Sequence, residues 1–131
     1  MKNPIQIRIY NWLASFRLRK LARFWSILVG FDAPLVLPRG LILPHPYAVV
    51  IHSDATIGQS CVIYQSVTIG ADSAGHVPKI GDRTVIYAGS VIVGKIQIGN
   101  DCVIGANSFV NINVPDNSRA VGNPARLISN S

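Results

Sequence analysis

HPYAVVIHSDATIGQSCVIYQSVTIG, residues 45–70, places an isoleucine at every sixth position. These isoleucines are Ile51, Ile57, Ile63 and Ile69. An α-helix repeats every 3.6 residues and a β-strand every two, so a period of six matches the face period of neither element. A fixed period of this kind indicates a repeat architecture, in which stacked units bury an apolar face that one unit cannot bury alone.

The six-residue period is interrupted once and then resumes. It continues through Ile80, Ile86, Ile92, Ile98, Ile104 and Val110. The step from Ile69 to Ile80 is eleven residues, which is one repeat plus five. The stretch ADSAGHVPK, residues 71–79, is therefore predicted to leave the repeat as a loop, and it carries His76. A loop that breaks a strict repeat is a usual place for function.

The repeat predicts a parallel β-helix of the all-β class, in which three of the six-residue units close one triangular coil. About four to five coils fit between residues 33 and 114. The isoleucines are expected to fill the interior, together with a smaller residue four positions later. These smaller residues are Ala55, Cys61, Val67, Thr84, Ser90, Ile96, Cys102 and Ser108. The glycine that often follows the isoleucine is expected to relieve the backbone at the bend.

The two cysteines fall on the same face of this predicted prism. Cys61 and Cys102 are two coils apart, with Thr84 between them. Because coils stack about 4.8 Å apart, the two sulfurs are too distant to form a disulfide. Both are predicted to be free, inert core residues.

The net charge of +6 is concentrated at the beginning of the chain. Residues 1–30 contain six basic residues and no acidic one: Lys2, Arg8, Arg17, Arg19, Lys20 and Arg23. Residues 31–131 balance six basic residues against six aspartates, and the chain has no glutamate. A nucleic-acid-binding domain is expected to be basic over its body, so no nucleic-acid partner is predicted.

The basic segment is predicted to be helical over residues 3–29, as two helices or as one helix bent near Ser15. One predicted apolar stripe comprises Ile5, Ile9, Trp12, Leu13 and Phe16, and another comprises Leu18, Leu21, Trp25 and Leu28. Two roles stay open for this segment. It could pack on the open end of the prism or within an oligomer, or it could contact a membrane surface as a basic amphipathic helix.

The same segment shows no secretory signal pattern. Its longest apolar run, FWSILVGF at residues 24–31, is far short of the roughly 20 residues that span a bilayer. The expected location is cytoplasmic, either free or peripheral at the inner face of the membrane. The chain is interpreted as a single domain of residues 1–131, with a helical segment (1–31), a β-helix (32–114) and a closing segment (115–131).

Three stretches carry a resemblance to a known family. They are GLILPHPYAVVIHSDATIGQSCVIYQSVTIG (40–70), PKIGDRTVIYAGSVIVGKIQIGNDCVIGANSFV (78–110) and VPDNSRAVGNPARLI (114–128). Together they resemble the hexapeptide-repeat acyltransferase superfamily, and within it the serine acetyltransferase-like branch. The resemblance implies a left-handed parallel β-helix, whereas general crossover rules favour the opposite hand.

The resemblance implies transfer of an acetyl group from acetyl-CoA to a hydroxyl, by a homotrimer whose active sites lie between neighbouring prisms. In the motif LPHP, His45 matches the catalytic histidine of the family. A neutral imidazole can take the proton of the attacking hydroxyl near pH 7, and backbone N–H groups can stabilise the developing oxyanion. Direct transfer in a ternary complex is expected, because both cysteines belong to the core pattern, and no metal is expected.

The other site residues also follow from the resemblance. Asp32, thirteen residues before His45, is expected to orient the imidazole, and His76 matches a second active-site histidine. Small residues that let the CoA arm approach the backbone match Gly70, Ala71, Ala88 and Ala106. Lys79 and Arg126 are candidates for the CoA phosphates. His52 is predicted to be an ordinary surface residue.

The acceptor is predicted to be a sugar hydroxyl in surface polysaccharide biosynthesis. Pro44 occupies the position where serine-using relatives carry an aspartate, which removes a carboxylate suited to the ammonium of an amino acid. Serine O-acetylation is the alternative, and a non-catalytic β-helix scaffold is a third reading of the sequence. A zinc enzyme like the γ-class carbonic anhydrases is disfavoured, because His45 and His52 do not show its H-x4-H spacing.

Overall fold

A computed structural model describes residues 2–15, 18–28, 30–34 and 36–128 of the chain. It contains two helices, α1 (Ile5–Ser15) and α2 (Arg19–Leu28), ahead of a series of short strands. The strands are β1 (Phe31–Asp32), β2 (Val49–Ile51), β3 (Thr56–Ile57), β4 (Val62–Ile63), β5 (Thr68–Gly70), β6 (Lys79–Ile80), β7 (Val85–Ile86), β8 (Val91–Val93), β9 (Gln97–Ile98), β10 (Val103–Ile104), β11 (Phe109–Val110), β12 (Arg119–Gly122) and β13 (Ala125–Ile128).

The strands form three sheets that the chain visits in turn. Sheet A has the order β1-β2-β5-β8-β11, sheet B has β13-β12-β10-β7-β4, and sheet C has β3-β6-β9. Successive strands from β2 to β11 belong to sheets A, C and B in rotation, and every pairing of named strands is parallel except that of β12 with β13. This rotation describes a three-faced parallel β-helix, as the sequence predicts.

The strand register confirms that three six-residue units make one coil. Val91 pairs with Phe109 and Val85 with Val103, and each pair is separated by three such units. Where the loop intervenes, Thr68 pairs with Val91, a separation of one coil plus the five extra residues. The parallel pairing extends from β1 to β12, which is beyond the boundary at residue 114 that the repeat suggests.

The interior is built as the repeat predicts. The isoleucines of the period are buried, apart from Ile57, which is half-buried on the first strand of sheet C. Two polar members of the second inward set donate hydrogen bonds to carbonyl groups of the next coil. Thr84 Oγ1 donates to Gly99 O at 2.9 Å, and Ser90 Oγ donates to Gly105 O at 2.8 Å. Both cysteines are free and buried.

The role expected for the glycines is wrong at the positions that follow the isoleucines. Gly58, Gly81 and Gly99 do not have the left-handed backbone conformation, which Ser60, Arg83 and Asp101 adopt instead, with φ between 53° and 57°. A methyl group added at Gly81 would lie 2.7 Å from the backbone of Gly99. Glycine is needed there because successive coils approach too closely for a side chain.

Helix α1 packs on the first coil, where Ile7 and Tyr10 join the core of the prism. Tyr10 Oη donates a hydrogen bond to Pro34 O at 2.7 Å, and Asn3 is hydrogen-bonded to backbone groups of Leu41 and Leu43. Among the described residues, no helix is both long enough and apolar enough to cross a bilayer.

The two helices are present as predicted, but each predicted apolar stripe is only partly buried: Leu13 and Trp25 pack against the core. In α1, Ile5 and Trp12 are exposed, and in α2 Leu21 and Leu28 are exposed, whereas Ala22 and Ser26 are buried. Phe16, the last member of the first predicted stripe, lies outside the described residues. The small residues of α2 face the body because this helix packs closely on α1 and β1.

Candidate active site

Most of the candidate site residues lie at or beside the corners of the prism, where the chain passes from one sheet to the next. The BA corner leads from sheet B to sheet A and comprises residues 44–48, 64–67, 87–90 and 105–108. The AC corner leads from sheet A to sheet C and comprises residues 52–55, 71–78, 94–96 and 111–113. The two corners flank sheet A on opposite sides.

His45 lies on a bulge of the BA corner. Val50 pairs with Thr68 at the regular separation of one coil, whereas Ile42 pairs with Val62 at a separation two positions longer. The first coil therefore has two more residues at this corner than the coil stacked on it. The extra residues lie beside Pro44 and His45 and leave the imidazole exposed. Within the described part of the chain, this imidazole has no hydrogen-bond partner.

His76 lies on the loop of the AC corner, where Asp72 holds its side chain. The Nδ1 atom of His76 is 3.1 Å from Asp72 Oδ2, and the backbone N–H groups of Ala74 and His76 both donate to Asp72 Oδ1 at 2.9 Å. The backbone N–H of His76, its ring and the backbone N–H of Ala74 hold the pKa of Asp72 below its ordinary value. A carboxylate that binds Nδ1–H leaves Nε2 free to accept a proton.

Asp72 is the residue that the sequence interpretation missed. The available signal was an aspartate four residues before His76, with Gly75 between them in a short loop. Such a spacing is compatible with a turn that folds the carboxylate back onto its own backbone. The resulting aspartate–histidine pair has the geometry of a base with its orienting group.

Asp32 is not placed beside His45. Its Oδ1 atom accepts a hydrogen bond from Arg23 Nη1 at 2.8 Å, and its side chain lines a cleft of about 270 Å³ with Arg23, His52 and Gly70. No hydrogen bond joins Asp32 to His45 in the described ranges. Arg23 of α2 holds the carboxylate of Asp32 on the AC-corner side of sheet A, whereas His45 lies at the BA corner. The expected orienting role of Asp32 therefore stays a prediction without a supporting contact.

His52 was predicted to be an ordinary surface residue, but the structure places it in the cleft that Asp32 lines. It is half-buried in the same cleft, and its Nδ1 atom accepts a hydrogen bond from the backbone N–H of Asp54 at 3.2 Å. Because Nδ1 accepts this hydrogen bond, Nε2 is the ring nitrogen available as a donor. This cleft is thus polar on one wall, with Arg23, Asp32 and His52, and apolar on the other.

The residues predicted to contact CoA are divided between the two corners. Ala88 and Ala106 share the BA corner with His45, and Arg126 lies nearby because it pairs with Val121 at the end of β12. Gly70, Ala71 and Lys79 lie instead at the AC corner or directly beside it, close to His76. One chain therefore presents two partial sites, one on each side of sheet A.

Gly70 differs from glycines such as Gly81, where the close stacking of coils leaves no room for a side chain. A methyl group added at Gly70 would meet only side-chain atoms, Val93 Cγ1 at 3.7 Å and Thr68 Cγ2 at 3.8 Å, which is ordinary contact. Packing within the chain therefore does not demand glycine at this position. The open space beside it is suited to the close approach of a ligand.

Among the described residues, no group of three or more histidine, cysteine, aspartate or glutamate side chains is arranged to hold a metal ion.

The carboxylate of Asp72 is expected to make the order of the loop pH-dependent. Its pKa lies below the ordinary 3.8, so the stabilisation by its ionised form is complete above that value and is lost as the pH falls through the folded-state pKa. Protection of the Ala74 and His76 amides against hydrogen exchange should fall with it. Asp72→Ala should lower this protection roughly two- to tenfold near neutral pH.

Asp72→Asn is the matched control for that experiment, because its carbonyl oxygen can still accept from both backbone N–H groups. It should retain most of the protection and show no transition at acid pH. Equal protection in the wild type and in Asp72→Ala would show that the carboxylate does not order the loop.

Comparison with known proteins agrees with this architecture. The family model described as bacterial transferase hexapeptide (six repeats) matches residues 78–111. A serine acetyltransferase from Synechococcus elongatus is 35% identical over 133 aligned residues, which cover 95% of this chain and 54% of the relative. The chain thus spans about half the length of this curated relative.

Two solved structures of serine acetyltransferases are also similar to this chain. The soybean serine acetyltransferase complexed with serine has a TM-score of 0.76 and 34% identity, covering 94% of this chain and 54% of that one. A serine acetyltransferase in complex with CoA has a TM-score of 0.75 and 28% identity, again covering 94% of this chain and 54% of that one.

The repeat, the three-faced parallel helix and the loop at a single corner define a hexapeptide-repeat protein. The matches to this chain fall in the hexapeptide-repeat acyltransferase superfamily, and within it in the serine acetyltransferase-like branch. The resemblance read from the three sequence stretches is confirmed.

Proposed function

We propose that the protein is an acetyl-CoA-dependent O-acetyltransferase with His45 as its general base. The observation that carries the proposal is the bulged BA corner, which presents an exposed imidazole without a partner in the described chain. A base that must accept a proton from a substrate hydroxyl needs an unoccupied ring nitrogen. Similarity to serine acetyltransferases supports the same reaction.

Acetyl-CoA supplies a thioester whose carbonyl carbon is attacked by the acceptor oxygen, with release of the CoA thiol. His45 takes the proton from the acceptor hydroxyl as its oxygen attacks, and returns that proton to the departing sulfur. Ala88 and Ala106 leave room for an extended arm along the same corner, and Arg126 can pair with a phosphate at its far end. Both cysteines are buried and so do not carry the acetyl group.

A homotrimer would complete the site. His45 and the Asp72–His76 pair lie on opposite sides of sheet A, so one chain does not bring them together. Where the BA corner of one copy lies against the AC corner of the next, both histidines and both sets of small residues would face one cleft. The left-handed winding of the prism, implied by the resemblance, is part of the same proposal and is supported by the likeness to the solved serine acetyltransferases.

The identity of the acceptor has two candidates. The similarity to serine acetyltransferases, including one complexed with serine, supports serine. A second observation favours a hydroxyl on a molecule without an ammonium group, such as a sugar. All six aspartates are among the described residues, and none lies on the BA corner beside His45: they are Asp32, Asp54, Asp72, Asp82, Asp101 and Asp116. If a carboxylate binds the ammonium group of serine, it would therefore come from the AC corner of a neighbouring copy.

The test is thiol release from acetyl-CoA by the purified protein, with L-serine and a panel of nucleotide sugars and oligosaccharides as acceptors. Release with serine would make serine the acceptor and would overturn the sugar prediction. Release with a sugar and not with serine would establish the sugar class. Binding of CoA without release in the presence of any acceptor would favour a non-catalytic scaffold.

A further inference from the structure

Helix α2 buries its small residues and exposes its large apolar ones. Ala22 is fully buried and Ser26 is 2% exposed, whereas Phe24 is 65% exposed and Ile27 is 71% exposed. The small side packs on α1 and β1. Large apolar side chains normally stabilise a fold by being buried, so this helix must have another reason to carry them outward.

The exposed apolar side chains form one continuous surface. We call it the outer face of α2, and it comprises Leu21, Phe24, Ile27 and Leu28. Leu21, Phe24 and Leu28 are spaced by three and four positions, which places them on one side of a helix, and Ile27 lies beside Phe24. This side is opposite to the buried Ala22 and Ser26. The outer face is therefore directed away from the body of the protein.

Cations border the outer face. Arg19, Lys20 and Arg23 line a shallow groove of about 600 Å³ together with Phe24 and Ile27. Arg23 is paired with Asp32, whereas Arg19 and Lys20 are exposed. No acidic residue occurs in residues 1–30, so nothing in this segment offsets their charge.

We propose that the outer face of α2 docks on an anionic lipid surface. Its apolar side chains would enter the boundary between headgroups and acyl chains, while Arg19 and Lys20 would meet the lipid phosphates. An isolated helix as short as α2 is marginal in water, but α2 is already held in helical form by α1 and β1. Docking therefore does not have to supply the free energy of helix formation.

A second copy of the chain fits this surface less well. Two paired outer faces offer no acidic residue to Arg19 and Lys20, because α2 contains none, so these cations would have no ionic partner on either helix of such an interface. The remainder of the chain, residues 31–131, has six basic and six acidic residues and so carries no net negative charge that would attract the basic segment of a second copy. An anionic lipid surface satisfies the apolar and the basic side chains at once.

Docking would also bring the cleft lined by Asp32 and Gly70 close to the lipid. Arg23 lines both the groove on α2 and the cleft that contains Asp32 and Gly70. This cleft would open beside the membrane surface. The docking proposal does not depend on which acceptor is acetylated.

The experiment is co-sedimentation of the full chain with phosphatidylcholine vesicles, with and without on the order of one third phosphatidylglycerol. We expect partition onto the anionic vesicles to exceed that onto neutral vesicles by at least about tenfold, and to fall as salt is added. Binding to neutral vesicles with the same strength, or no binding to anionic vesicles, would overturn the proposal.

Paired substitutions test the two components of the surface. Phe24→Gln with Ile27→Gln should lower partition by at least about tenfold, since both side chains would leave the lipid. The matched control is Leu127→Gln with Ile128→Gln, whose side chains are 47% and 49% exposed at the other end of the chain. Arg19→Gln with Lys20→Gln should weaken binding about 10- to 30-fold, and Lys95→Gln with Arg119→Gln should leave it unchanged.

All four positions on α2 are exposed, so each variant should melt at the temperature of the wild type, and circular dichroism would check this. Sedimentation equilibrium provides the competing outcome. If Phe24→Gln with Ile27→Gln dissociates an oligomer and leaves vesicle binding intact, the outer face is an interface between copies and the lipid proposal is wrong.

Discussion

Replacing His45 by alanine is expected to lower kcat/KM for acetyl transfer by between about 100- and 10,000-fold. The imidazole is the only proposed acceptor for the proton of the attacking hydroxyl, so its loss removes an interaction made in the transition state. The melting temperature should not change, because His45 is exposed and makes no hydrogen bond within the described residues. Steady-state kinetics with the acceptor found by thiol release, together with thermal unfolding, would measure both quantities.

His52→Ala is the matched control for His45→Ala. His52 lies in the cleft at the AC corner, and its Nδ1 atom is occupied by the backbone N–H of Asp54. Its removal should therefore have a much smaller effect on turnover. An active His45→Ala variant together with an inactive His76→Ala variant would contradict the assignment. It would transfer the role of base to the Asp72–His76 pair, whose geometry is already that of an oriented base.

The coil and the position of the loop were predictable because the large isoleucine side chains must fill the interior of the prism at regular intervals. An isoleucine at every sixth residue must point into the prism, and any interruption must leave it, so both the regular register and the longer one across the loop follow from counting. The bulge at His45 was not predictable in this way. The isoleucine count begins at Ile51, and the two extra residues become visible only through the pairing of Ile42 with Val62.

The apolar stripes only partly match the buried sides of the helices, because in α2 close packing favours small side chains. Ala22 and Ser26 face the body since α2 lies against α1 and β1, and a large residue would not fit there. The unusual distribution in α2, with Phe24 and Ile27 outward, therefore escaped an interpretation based on burying large apolar residues. The same distribution is what supports the lipid-docking proposal.

The sequence motifs nominate individual candidate residues but do not show how these residues are grouped in the fold. His45 and His76 were found through motifs, yet the motifs do not show that the two lie on opposite sides of sheet A. The contact of Asp32 with Arg23 depends on how α2 is placed, and no sequence pattern links two such residues across a helix end and a strand. The bond of Asp72 to His76 depends on the path of a short loop.

The second prediction with a large expected effect concerns the stability of the fold. It contrasts two glycines that occupy the same position in the sequence repeat. Gly70 and Gly81 each follow an isoleucine of the repeat. Gly81→Ala is expected to destabilise the fold by about 1–3 kcal/mol, because its methyl group would lie 2.7 Å from the backbone carbonyl of Gly99. Backbone in the next coil cannot move aside without disturbing the stacked hydrogen bonds.

Gly70→Ala is expected to act in the opposite direction. Its methyl group would make only ordinary contacts, at 3.7 Å and 3.8 Å, and its backbone is outside the left-handed region. An alanine that fits without strain restricts the unfolded chain and so stabilises the native state by about 0.4–1 kcal/mol. Equilibrium unfolding in urea at matched protein concentration would measure the free energy of unfolding of both variants.

A functional measurement on the same pair separates packing from ligand binding. If the CoA arm passes close to Gly70, the stabilised Gly70→Ala variant should show a higher KM for acetyl-CoA, since the methyl group would occupy the space of the ligand. A change of the same sign in stability for both variants would contradict the distinction between coil-stacking glycines and Gly70. An unchanged KM in a stabilised Gly70→Ala protein would remove Gly70 from the CoA site and leave the alanines of the BA corner to line it.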